Sequence, residues 1–173
     1  SITLGGSAEA SGQLVGGVVT PAIYTKLPPV LRNLCDEFRP TGRLDFTGQG
    51  KWERGQLTYS YRASPRDMQV LFDGFPYPVN NLSGELDYSE AGTDPQLKVN
   101  LSGQASGQPV KMTGRAFGIG LRPDNELKCG FHLFVEAERI PIDDVLLDAL
   151  KPFPHTLRLA RQFRASGRVT CHG

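Results

Sequence analysis

The chain has only three cysteines, none in a Cys-x-x-Cys spacing, and three is an odd number. That pattern excludes a zinc-ribbon type of centre and a closed disulfide framework. Cys35, Cys129 and Cys171 therefore read as separate thiols, and folding is expected to need no disulfide. No apolar run is long enough to cross a membrane as a helix, and no signal pattern opens the chain. An excess of one charge is lacking too. Against 19 Lys and Arg stand 18 Asp and Glu, a formal net charge of +1, too little for a broad footprint on nucleic acid. No two of the three histidines have ligand spacing, so no metal is expected. Glycine and proline, by contrast, number 20 and 13. Such a composition argues against a helical bundle and suits short strands joined by turns. At 173 residues the chain has the size of one domain.

Apolar residues fall at every second position in a series of runs: Leu44, Phe46 and Trp52; Leu57, Tyr59 and Tyr61; Met68, Val70 and Phe72; Leu82, Leu86 and Tyr88; Leu97, Val99 and Leu101; Val110 and Met112; Phe131, Leu133 and Val135. Between them lie mostly polar residues, among them Arg43, Thr58, Glu85, Lys98 and Lys111. Successive side chains of a strand point to opposite faces, so each run is apolar on one side and wet on the other. The turn-rich links are Glu53-Arg54-Gly55, Asp73-Gly74, Glu90 to Pro95, Gly107-Gln108-Pro109 and Pro123-Asp124-Asn125. They predict an antiparallel meander with one apolar face. Two more strands are expected at the N-terminus, about Ile2–Leu4 and Gln13–Val19.

Two segments break the two-residue period. Leu27, Val30, Leu31, Leu34 and Phe38 recur at helical spacing after Pro28 and Pro29, with Gly42 placed to end the segment. Further on, Asp143 is a candidate N-cap for Val145, Leu146 and Leu150; after a break at Pro152 and Pro154, Leu157, Ala160 and Phe163 continue. These segments belong to a repeat. Lys26 to Gly48 reads KLPPVLRNLCDEFRPTGRLDFTG and Lys151 to Gly173 reads KPFPHTLRLARQFRASGRVTCHG, a period of about 125 residues, longer than usual solenoid units. The expected organisation is a single domain over 1–173, an excerpt of a longer repeat array. It comprises a boundary helix at 27–39, a strand meander at 43–137, a second helical segment at 141–163 and the start of the next repeat at 167–173. The first helix is expected to pack Val30, Leu31, Leu34 and Phe38 against an end of the sheet. Seven strands span roughly 30 Å, whereas a helix is about 10–12 Å across. One or two short helices would leave much of the apolar face unroofed.

The catalytic candidates have plainer readings. Cys171 and His172 are adjacent in a strand, poor geometry for a thiolate and its base. Glu85 and Asp87 share a strand face as a glycosidase pair would, but they match the polar face of every neighbouring strand. Gly114 to Gly120 is followed by no helix start, which argues against a phosphate loop; Gly118 and Gly120 mark a bulge or bend. Trp52, Tyr59, Tyr61, Phe72, Phe75 and Tyr77 are expected to cluster, either as core or as the lining of a ligand groove.

The alternating strands, FPYPVNNLSGELDYS (Phe75 to Ser89), LKVNLSGQASGQPVKMTG (Leu97 to Gly114), and ERIPIDDVLLDAL (Glu138 to Leu150) leading to FRASGRV (Phe163 to Val169) together resemble the AsmA-like proteins of diderm bacterial envelopes. The resemblance is to the repetitive β-rich periplasmic region of that family and covers the chain from Leu27 onward. It implies a curved antiparallel meander forming a groove or taco-like half-barrel, mainly β with short amphipathic helices at repeat boundaries. It also implies a role in outer-membrane homeostasis by carrying lipid between inner and outer membranes, with no catalytic residues and no cofactor. Implied partners are phospholipid or another acyl lipid, further repeats of the same chain, and components of both membranes. The implied location is the periplasm, with an inner-membrane anchor outside this chain. The groove lining expected on parity is Leu44, Phe46, Trp52, Leu57, Tyr59, Tyr61, Val70, Phe72, Leu82, Leu86, Tyr88, Leu97, Val99, Leu101, Val110, Met112, Phe131, Leu133 and Val135. Two alternatives stand beside this: a structural or adhesive β-repeat with a closed dry core, and a carbohydrate-binding or carbohydrate-processing β domain that stacks sugars on Trp52 and the tyrosines.

Overall fold

The computed structural model describes residues 7–25, 29–53, 55–89, 96–117 and 130–172. Eight strands form one antiparallel sheet in sequence order: β1 (Ala8–Val19), β2 (Thr41–Glu53), β3 (Gln56–Phe72), β4 (Phe75–Ser89), β5 (Gln96–Ala105), β6 (Gln108–Phe117), β7 (Gly130–Pro141) and β8 (Arg168–His172). β1 and β8 are the two ends of the order, so the sheet does not close into a barrel. Among the described residues four short helices lie between strands: α1 (Pro21–Tyr24) and α2 (Pro29–Phe38) join β1 to β2, and α3 (Asp144–Ala149) and α4 (Pro154–Gln162) join β7 to β8. The side chain of Asp143 accepts the Leu146 N–H at 3.0 Å and caps α3, and a proline opens α4 at its first turn.

The predicted runs at Leu57–Tyr61 and Met68–Phe72 are not separate strands but one, the 17-residue β3. Their parities differ because the chain takes an extra residue between them. Asp67 has φ 50°, and the β3–β4 register shifts between Ala63 and Met68. In β4 the same device operates at Asn81, φ 52°, where the odd-numbered Phe75, Tyr77 and Val79 give way to the even-numbered Leu82, Leu86 and Tyr88. Asp and Asn tolerate this backbone region better than most residues, and a bulge re-aims side chains without ending the ladder. The expected Gly107-Gln108-Pro109 turn is shifted as well. Ser106 and Gly107 make it, with φ 47° and 73°, and Gln108 and Pro109 already belong to β6. Positive φ at both central residues matches the twist of the flanking strands. Gln13–Val19 lies within the longer β1, while Ile2–Leu4, Glu90 to Pro95, Pro123 to Asn125, Gly118 and Gly120 fall outside the described residues.

The repeat read from Lys26 and Lys151 is deeper than its sequence. α2 starts at Pro29 and α4 at Pro154, matching positions of the two copies. Arg39 and Arg164 both take left-handed backbone, φ 42° and 48°, and Gly42 and Gly167 follow with φ 138° and 106°. The short helices before them each bury one residue, Tyr24 at 7% exposure and Ala149 at 0%. The preceding strands agree in detail. β1 bulges between Leu14 and Gly17 opposite Phe46 and Leu44, and β7 bulges between Ala137 and Ile140 opposite Cys171 and Val169. At the bulges Gly16 has φ 64° and Arg139 φ 57°. The N–H of Gly16 donates to Asp45 Oδ1 at 2.7 Å and that of Arg139 to Thr170 Oγ1 at 3.3 Å. β1–α1–α2–β2 and β7–α3–α4–β8 are thus two copies of one unit. Each bulge N–H, which the ladder leaves unpaired, is satisfied by a side-chain oxygen from the neighbouring strand.

Two apolar clusters occupy one face. The first holds Met68, Leu82, Val99 and Leu101 mid-sheet, flanked by Val19, Leu44, Val70, Val79, Leu86, Leu97, Met112 and Leu133. In the second, Ala149 of α3 packs on Tyr77, Ala105 and Ile140. α3 therefore roofs one end of the face over β4. α2 approaches β3, with Phe38 stacked on Phe72 at 5.1 Å between ring centroids. The side chains of Val30, Leu31 and Leu34, expected on the same helix face, fall outside the description. Phe163, the counterpart of Phe38, is 75% exposed.

Cys35 is half-buried and Cys171 exposed, both as free thiols; Cys129 falls outside the described residues. Burial, reinforced by Asp36, raises the Cys35 thiol above its ordinary range, so less thiolate is present there at mildly alkaline pH. Iodoacetamide is expected to label Cys171 before Cys35, and melting curves with and without reductant should coincide. A large loss of stability on reduction would contradict the reading of these thiols as unpaired.

Candidate functional site

The register carries the predicted lining residues onto a single face. Residues directly opposite in an antiparallel pair point the same way. One row runs Phe46, Ala63, Leu86, Val99, Gly114 and Leu133 across β2 to β7; a second runs Tyr61, Tyr88, Leu97, Ala116 and Phe131 across β3 to β7. Leu44 sits opposite Pro65, Leu101 opposite Met112, Met112 opposite Val135, and Trp52 opposite Leu57. The bulges in β3 and β4 return Val70 and Phe72, opposite Val79 and Phe75, to this face after the parity change. Val110, opposite Gly103 and Ala137, completes it. Nothing is described of the side chains of Leu57 and Phe131, which hold register positions only.

Four strands build this face with one phrase. Phe46-Thr47-Gly48, Leu82-Ser83-Gly84, Leu101-Ser102-Gly103 and Met112-Thr113-Gly114 each place an apolar residue inward, a hydroxyl outward and a glycine inward. The glycines face bulk: Tyr61 across from Gly48, Leu101 from Gly84, Val110 from Gly103, and both Val99 and Leu133 from Gly114. At Gly84 and Gly114 the chain has φ 141° and 151°, and an added Cβ would collide with the backbone carbonyl oxygens of Asn100 and His132. Neighbouring backbones approach closely there because no side chain intervenes.

The face is apolar, yet it is not a sealed core. Burial on it is uneven: Met68, Tyr77, Leu82, Tyr88, Val99 and Leu101 are buried, though no large side chain among the described residues is fully so. Leu86, Leu97, Met112, Leu133 and Val135 are half-buried, and Trp52 and Tyr59 at one margin are each 44% exposed. Eight strands span about 34 Å and a helix covers about 10–12 Å, so α3 roofs only part of the width.

The predicted aromatic cluster divides in two. Phe46, Tyr61, Tyr88 and Tyr59 stack at one end, with centroid separations of 5.6, 4.7 and 5.3 Å between successive rings. Phe72 stacks with Phe38, and Phe75 with Tyr77, at the other. An extended strand rises about 3.3 Å per residue, so Tyr61 and Phe72 lie too far apart on β3 to touch. Burial, and secondarily the neighbouring Tyr59, pushes the Tyr61 hydroxyl up to about 12. At neutral pH it is a neutral donor and acceptor on the apolar face, where Tyr59 and Tyr88 also carry hydroxyls.

The opposite face is wet and paired. Asp87 accepts from Arg62 at 2.6 Å, Asp45 pairs with Arg66, and Lys51 with Glu53 at 2.9 Å. Asp87 is thus a cross-strand ion-pair partner, and Glu85 lies on the same exposed side. Among the described residues no group of three or more His, Cys, Asp or Glu is arranged to hold a metal, and no helix is long and apolar enough to cross a membrane.

Ala63, Pro65, Met68, Val79 and Ala116 share the apolar face without having been predicted as lining. Ala63 and Pro65 continue the parity of Tyr59 and Tyr61, a signal that small or ring-closed residues make easy to overlook. No protein-family model, curated protein or solved structure matches the chain.

Proposed function

We propose that this chain is a lipid-handling segment whose open apolar face holds or conducts acyl chains while its charged face keeps it in water. The observation that carries the reading is the unsealed face itself: several strands of half-buried Leu, Val, Met and aromatic side chains, backed by ion pairs on the other side. Contiguous apolar surface of this extent is costly in water unless something covers it. A hydrocarbon chain fits, because the face offers few polar groups that would hold it in one place. By its resemblance to the AsmA-like family, the segment serves outer-membrane homeostasis from the periplasm, carrying phospholipid or another acyl lipid between membranes. The work is passive and needs no catalytic residue. The closed-core alternative requires a second layer over this face; among the described residues α3 supplies one over Tyr77, Ala105 and Ile140, and Phe38 of α2 covers Phe72.

Photo-crosslinking tests the reading. A diazirine amino acid at position 86, on the apolar face, should capture lipid in cells, and one at position 85 should capture little. Equal labelling at the two positions, or no lipid on either, would favour a structural module instead.

A further inference from the structure

α2 and β2 carry a hairpin tip. The ring of Phe38 stacks on Phe72, and the Arg39 guanidinium meets the Asp73 carboxylate at 2.7 Å. The Asp73 N–H donates to the Glu37 carbonyl at 2.9 Å, while Gly42 leaves room for the Met68 backbone, whose Cα would lie 2.8 Å from an added Cβ. These four contacts seat the Phe72-Asp73-Gly74 turn on the C-terminal end of α2 and align β3 along β2.

The second copy of the unit has the same seat. Phe163, Arg164 and Gly167 stand where Phe38, Arg39 and Gly42 do, and both the arginines and the glycines share positive φ. Gln162 replaces Glu37, whose contribution to the seat is its backbone carbonyl, so the change of side chain leaves an acceptor of the same kind in place. Yet Phe163 is 75% exposed and β8 ends the strand order. We infer that α4 and the outer edge of β8 form a docking surface for a β-hairpin with an aromatic-Asp-Gly tip of the β3–β4 kind, supplied by a further repeat of the same polypeptide. The aromatic residue stacks on Phe163, the aspartate pairs with Arg164 and donates its N–H to the Gln162 carbonyl, and the arriving strand completes the β8 ladder. One contact is not reproduced. Thr170 stands in place of Asp45, so an arginine matching Arg66 finds no carboxylate there. The inference is independent of whether the apolar face carries lipid.

The test extends the 173-residue chain beyond Gly173 with a copy of its own residues 49–89, which follow Gly48, the counterpart of Gly173. Hydrogen exchange of β8 and of the last turn of α4 is compared with and without the extension. Protection should rise by about tenfold or more. Replacing the appended copies of Phe72 and Asp73 by alanine, or making Phe163→Ala in the extended chain, should abolish most of the gain. Phe163→Ala in the unextended chain should leave its melting curve unchanged. Three results would overturn the inference: unchanged exchange on extension, equal protection from intact and tip-altered extensions, or dimerisation of the unextended chain through β8.

Discussion

Replacing Gly114 by alanine should destabilise the protein by about 3 kcal/mol or more, lowering the melting midpoint by roughly 6–12 °C for a chain of this length. Two costs combine. At φ 151° an L-side chain is strained, and its Cβ would drive into the His132 carbonyl oxygen and crowd Leu133 Cα. Both obstacles are backbone, so no rotamer change relieves them, and the β6–β7 ladder would have to open locally. Gly84→Ala should behave alike, because the same collision occurs with the Asn100 carbonyl at φ 141°. Gly12→Ala provides the control. Nothing lies within 4 Å of a Cβ built there, and its melt should stay close to that of the parent. A Gly114→Ala protein that melts with the parent would show that the inward glycines are replaceable and that close strand approach does not depend on them.

Leu86→Asp should cut lipid handling sharply while leaving a folded protein. Leu86 is half-buried and faces Ala63 and Val99 on the apolar side. An unpaired carboxylate there loses hydration whenever hydrocarbon slides over it, a penalty of several kcal/mol against the passing chain. Lipid recovered per mole of purified protein is expected to fall about tenfold, as a penalty of about 1.4 kcal/mol or more would produce. Leu86→Met, which restores an oily side chain, should recover it, and Glu85→Gln on the wet face should have little effect. Val99, on the same row, is a poorer probe. It is buried in the mid-sheet cluster, so an aspartate there would unfold the sheet before it could report on passage. Wild-type lipid content in a folded Leu86→Asp protein would remove the acyl-chain reading of this face.

Much of this fold is visible in the order of residues, because an antiparallel meander with one apolar side repeats a two-residue rule. The runs from Leu82 to Tyr88 and from Leu97 to Leu101 need only alternation and a turn to be placed. Two helix starts are equally plain, since Asp143 and Pro29 carry capping and first-turn chemistry in their own side chains, whereas Pro154, which reads as a break in one helical segment, opens a separate helix. What the order of residues hides is the bulge. Asp67 and Asn81 are ordinary polar residues until the backbone turns left-handed at each, and the parity change around Asp67 imitates the end of one strand and the start of another. The same limit conceals the equivalence of β1 and β7. Gly16 and Arg139 share a conformation but no chemistry, and their acceptors, Asp45 and Thr170, share only an oxygen. In the candidate site, parity selects the residues of the face but says nothing of their exposure. Whether Tyr88 is buried and Tyr59 half-open depends on which rings stack across the strands.

The duplicated unit also acts as a ruler. Between one bulged strand and its counterpart the sheet advances by six strands, from β1 to β7, a pitch of about 29 Å at the usual interstrand spacing. Helix pairs would then recur along one margin at that interval, as fixed marks. A stack of such units could change its reach only in whole steps of this pitch. Removing a full step would shorten the span and keep every helix pair on its own bulged strand, whereas removing a single hairpin would put the next Phe-Arg seat opposite the wrong turn.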